Sequence, residues 1–284
     1  MAIRNPPSHP TPEAGVIDIL LDGHVHFHGC FDREGFFDSA LANLCAGATA
    51  AGPPGRAVLC LLLTEGADED FFEALSADRR IPGKGAWTVD PSGEDGSLLV
   101  SRRGTDSLIL VAGRQIVTRE GLEVLAIGRR ARYPRGLAVR DAIEATLAQQ
   151  AIPVIPWGFG KWWFARGQLL DALLHAPETP RLFLGDNAGR PQIAPAPRLF
   201  SVARERGFFV LPGSDPLPFP AQVRTVGRFG FALRGAWDAT RPAESVKRLL
   251  AELSSQPRTF GRRESLAGFA RSQVGMQLRK WTRA

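Results

Sequence analysis

Short apolar runs alternate along the chain with longer stretches of mixed character. VIDILLD (16–22), AVLCLLL (57–63), LEVLAIG (122–128), IPVI (152–155), RLFLGD (181–186) and FFVLPGSD (208–215) are rich in β-branched and large aliphatic side chains. Runs this short and this apolar predict strands buried on both faces. Residues 35–51 are rich in Ala and Leu and read as a helix, stopped by Gly52-Pro53-Pro54-Gly55. Residues 67–77 and 196–206 also read as helices. Val139, Ile143 and Leu147 recur at four-residue spacing and predict an amphipathic helix over 137–150. Segments 86–90, 97–101 and 108–112 are short and turn-punctuated, as in a meander inserted at a barrel edge. Val246, Leu249, Leu250 and Leu253 form one stripe behind Pro242, so the tail reads as all-helical.

Strand alternating with helix implies a parallel sheet with crossover helices. About seven strands, with no G-x-G-x-x-G after the first, favour a distorted (β/α)7 TIM-like barrel over an open nucleotide-binding sheet. The expected organisation is an extended, proline-bearing leader (1–14), a barrel domain (15–237) and a basic helical C-terminal extension (238–284).

Composition narrows the class. The 284 residues are 44% hydrophobic and 23% charged, which excludes a wholly disordered chain. No run approaches eighteen apolar residues, so no membrane span is expected. The N-terminus has no apolar h-region, and three cysteines (Cys30, Cys45, Cys60) fit neither a zinc motif nor a disulfide framework. A reducing, cytoplasmic setting is the expectation. The net charge of +6 sits entirely in the tail: residues 1–237 carry 25 basic and 25 acidic side chains, residues 238–284 carry 10 and 4. That tail offers a surface for a protein partner, while the absence of a nucleic-acid module argues against nucleic acid.

Candidate chemistry concentrates at strand ends. Three of the five histidines are His24, His26 and His28, directly after the first apolar run. Residues i and i+2 of a strand share a face, so His24 and His26 can meet one metal ion. Other strand ends offer Glu65, Gln115, Trp157, Asp186 and Asp215. Two imidazoles with carboxylates can bind a divalent ion and leave a water position open. Each lone aspartate is equally at home as a turn or helix cap. The run from Pro156 to Arg166 contains five aromatics, two glycines, Lys161 and Arg166. It reads as a lid against the barrel rim, or as a wall that grips an anionic ligand through Trp157, Lys161 and Arg166.

These motifs, in this order, resemble the PHP (polymerase and histidinol phosphatase) family of metal-dependent phosphoesterases. Asp22-Gly23-His24-Val25-His26 is similar to the family's opening D-x-H-x-H, and Gly213-Ser214-Asp215-Pro216-Leu217 to its closing G-S-D-x-H. The pattern departs where Gly66, Gln115, Glu123, Trp157 and Leu217 stand at positions the family gives to metal ligands. The resemblance implies a PHP-type barrel hydrolysing a small phosphorylated substrate. In that reading His24, His26 and Asp215 bind one Mn, Fe or Zn ion, Glu65 or Asp186 adds a ligand or general base, and Lys161 or Arg166 steadies the substrate. The lost ligands leave a second reading open: a metal-free, catalytically inactive descendant that binds a small anion or a protein partner. The amidohydrolase superfamily, which also opens on H-x-H, is a further resemblance.

Overall fold

The computed structural model describes residues 16–51, 57–85, 87–102 and 107–281; the expected leader and the Gly52–Gly55 stop lie outside them. Twelve strands among these residues form two sheets. The first, in the order β12-β11-β1-β2-β5-β4-β3, contains β1 (Val16–Val25), β2 (Val58–Leu63), β3 (Trp87–Pro91), β4 (Ser97–Arg102), β5 (Ser107–Val111), β11 (Phe229–Ala236) and β12 (Arg258–Gly261). The second, in the order β10-β9-β8-β7-β6, contains β6 (Gly113–Val117), β7 (Glu123–Ile127), β8 (Ile152–Pro156), β9 (Phe183–Asn187) and β10 (Phe209–Gly213). Pairing is parallel from β1 through β2 to β5 and from β8 through β9 to β10, and antiparallel elsewhere. The expected meander is β3-β4-β5 at one sheet edge.

Alternate residues of each strand enter different layers. Ile19 and Leu21, Cys60 and Leu62, Leu125 and Ile127, Val154, Phe183 and Leu211 meet in one interior cluster between the sheets. The intervening residues face helices. Leu20, Leu61 and Leu63 pack with Phe36, Phe37 and Leu44 of α1 (Arg33–Ala51) and Leu75 of α2 (Phe71–Asp78). Val124, Ala126, Ile155, Leu182 and Leu184 pack with residues of α3 (Val139–Ala148), α4 (Ala165–His175) and α5 (Arg198–Glu205). Burial on both faces is why these strands read as continuous apolar runs.

No sheet closes into the expected barrel. The sheets approach along two seams joined by a few backbone bonds. At one, the Asp215 amide donates to His24 O at 2.8 Å. At the other, Glu65 N–H donates to Gly113 O at 3.1 Å and Gln115 N–H to Glu65 O at 2.8 Å. The tail also departs from expectation. α6 (Pro242–Ala251) inserts Val246, Leu249 and Leu250 into the interior cluster, but β12 follows it as a strand on β11 before α7 (Leu266–Trp281). Part of the tail's positive charge is internal, since buried Lys247 pairs with Glu244 at 2.8 Å. No helix of the described residues is long and apolar enough to cross a membrane.

Candidate metal centre

β1 ends at the seam with β10, and its register shifts between Asp22 and Val25. The shift brings both His24 and His26 to the space between the sheets. Buried Asp22 anchors the turn. Its carboxylate accepts N–H groups from three segments: Ser214 at 2.7 Å, Gly227 at 2.8 Å and His24 at 3.3 Å. Burial nevertheless pushes the Asp22 carboxyl up to about 7, against the lowering effect of those bonds. Asp215 enters from beyond β10 with φ of 45°, a left-handed conformation that Asp tolerates better than most residues.

Three donor atoms converge. His24 Nε2 and His26 Nε2 are 3.0 Å apart, and Asp215 Oδ1 lies 3.7 Å from the first and 3.8 Å from the second. Two ligand bonds of about 2.1 Å at a tetrahedral angle span about 3.4 Å, between these edges, so the three fit one ion. Burial and the neighbouring His24 lower the His26 pKa, which favours the neutral imidazole that ligation needs. Burial works to raise the Asp215 carboxyl, but His24, His26 and Lys161 outweigh it and hold it below the usual range. The triad brings together the three residues that the sequence singles out as candidate ligands.

Asn187 Nδ2 donates to Asp215 Oδ2 and to Trp157 O, both at 2.8 Å, and so fixes the carboxylate. His28 stacks on His26 with centroids 5.5 Å apart and bonds Pro216 O at 2.8 Å. Glu69 lies 4.0 Å from His28 Nδ1 and accepts the Gly66 N–H at 2.7 Å, beside the side chain that glycine lacks. Across the mouth, Gln115 Nε2 donates to Glu123 at 3.3 Å, and Glu123 is ion-paired with Lys161.

The other anticipated residues lie elsewhere. Glu65 accepts the Phe72 N–H at 3.0 Å, capping α2, and sits 3.7 Å from Arg114. Burial raises its pKa despite both. Asp186 makes a two-point pair with Arg190, at 2.8 and 2.6 Å. Trp157 packs in the α3–α5 cluster and lines an outer cavity of about 660 Å³. Arg166 donates to Gly160 O at 2.9 Å and lies against Gly121 in the β6–β7 turn. Strand parity explains these corrections. Glu65 continues Leu61 and Leu63, Trp157 continues Ile155, and Asp186 continues Leu182 and Leu184, all facing helices. Asn187 shares parity with inward Phe183, and Glu123 with inward Leu125 and Ile127. That periodicity is visible in the sequence and would have selected Asn187 over its neighbour.

The fold has counterparts among solved structures. PsfC from Pseudomonas syringae PB-5123 superposes with a TM-score of 0.53 at 15% identity, over 94% of this chain and 100% of PsfC. The lesion-specific endonuclease PfuEndoQ from Pyrococcus furiosus gives 0.50 at 13% identity. Endonuclease Q in complex with a 27-mer duplex substrate, an abasic lesion at its active site, gives 0.50 at 11%. Both endonuclease matches cover 86% of this chain but only 58% of the longer partner. At these identities the likeness is one of fold. No family model and no curated protein matches the sequence.

Proposed function

We propose that the protein is a metal-dependent hydrolase of small anionic esters, phosphoesters foremost, working with one divalent Mn, Fe or Zn ion. The observation that carries this reading is the convergence of His24 Nε2, His26 Nε2 and Asp215 Oδ1, all within 4.8 Å of one another. When bound, such an ion supplies Lewis-acid polarisation of the ester and a more acidic water. His24 and His26 would hold it through their Nε2 atoms, and Asp215 would contribute charge. Asn187 keeps the Asp215 carboxylate turned toward the pair. Lys161, tethered by Glu123, provides a fixed cation at the mouth for the substrate's anionic group. One endonuclease of similar fold is bound to a 27-mer duplex substrate, but residues 1–237 of this chain carry no basic excess, which favours a small substrate.

The test is metal titration by calorimetry on chelator-treated protein, followed by phosphodiester and phosphomonoester turnover assays. The expected result is one ion per chain, lost with turnover in a His24→Ala/His26→Ala double variant that still folds. A folded wild type that binds none of the three metals overturns the proposal and favours the inactive, ligand-binding descendant. The replacement of ligand positions by Gly66, Trp157 and Leu217 points in that direction.

A further inference from the structure

A second polar centre lies on the outer face of β9, bordered by β10, β11 and β12. A cleft of about 520 Å³ there is lined by Asp186, Arg190, Arg204, Arg262 and Arg263, with Phe200 and Phe229 among its apolar walls. Four guanidinium groups thus share one space with a single carboxylate. Arg190 is buried and already engages both oxygens of Asp186; its remaining nitrogen donates to Ala194 O and Pro195 O at 3.1 and 3.3 Å. Arg263 is fixed by the same loop, through Pro191 O at 3.2 Å and Gln192 O at 3.1 Å. Arg204 and Arg262 are exposed, and neither has a side-chain partner among the described residues.

Two of these cations are held by carbonyls and cannot turn away from each other. Burial and the nearby Arg190 both disfavour the charged form of Arg263, against the opposing effect of Asp186. A concave surface of one sign concentrates potential, and guanidinium groups match phosphate oxygens in pairs. The volume suits a small ligand, and the phenylalanines suit a body less polar than its charged group.

We propose that this cleft is a binding site for a small phosphate-bearing ligand, clamped between fixed Arg263 and exposed Arg204 and Arg262. The site stands apart from the metal centre: Asp186 and Asn187 are neighbours in β9 but point to opposite faces. Binding is independent of whether the triad holds a metal.

Pyrophosphate is a suitable probe, titrated by calorimetry into full-length, chelator-treated protein at low salt. The expected result is saturable binding that weakens at least tenfold in Arg204→Ala/Arg262→Ala and is unchanged in His24→Ala/His26→Ala. Both arginines are exposed, so melting temperature should be unaffected by the first pair. Equal affinity in wild type and the arginine variant, loss of binding in the histidine variant, or no binding at millimolar pyrophosphate would overturn the assignment. Binding of duplex DNA with no response to pyrophosphate would also overturn it, in favour of a nucleic-acid surface.

Discussion

Two adjacent side chains on β9 do unrelated work. Asp186 neutralises buried Arg190, whereas Asn187 orients the Asp215 carboxylate. Asp186→Ala is expected to cost about 3–5 kcal/mol, because it strands a buried charge, and to leave metal affinity intact. Asn187→Ala is expected to fold and to lose about 10–100-fold in metal affinity, as removal of a partner behind a ligand does. Paired denaturation and metal titration would separate the two. Glu65 provides a third contrast. Burial raises its pKa, so above the ordinary glutamate range the native state retains a proton that the unfolded chain has released. Its contribution to stability therefore falls as pH rises. Glu65→Gln keeps an oxygen for the Phe72 N–H and removes the charge. It should melt above wild type at pH 7 and level with it at pH 4, with unchanged metal binding. Lost metal binding would instead make Glu65 a ligand.

The meeting of β1 with β10 places the triad, and two glycines permit it. A Cβ on Gly23 would lie 2.6 Å from Pro212 O, and one on Gly213 would collide with the His24 backbone. Gly213→Ala should therefore force β10 away from His24. The expected cost is roughly 1–3 kcal/mol, with a loss of metal affinity beyond what destabilisation explains. Gly29→Ala, whose Cβ meets nothing within 4 Å, is the control. The aromatic run is likewise positioned by packing. Trp162 is buried edge-on against Phe200, and Phe159 meets Phe269 of α7, so the run forms a lid tied to the tail. Only Lys161 turns back to the mouth.

Both sheets share one interior core, and α6 seals it with Val246, Leu249 and Leu250. Leu250→Ala, at a fully buried position, should cost about 2–5 kcal/mol in thermal or urea unfolding while metal stoichiometry stays the same. A stoichiometry that changed would mean the core and the mouth are coupled. The strands of this core other than β11 were legible in the sequence, as were α1, α2, α3 and α5. β6 was hidden because it follows β5 after the single residue Ala112, and β11 and β12 because they join the sheet by pairing with β1 and with each other. The β1–β11 pairing joins residues more than two hundred positions apart, as Val16 with Ala236, and leaves no local trace. Chain chemistry alone thus sufficed for the layering of strands and helices and for singling out His24 and His26, since burial periodicity and ligand type are local properties; Asp215 was singled out only by the resemblance of its motif. Which strand-end side chains face inward, where β1 shifts its register, and that two open sheets replace a closed cylinder were decided by contacts between distant segments. Those contacts assigned Asn187 to the metal centre and Asp186, Glu65 and Trp157 to the scaffold.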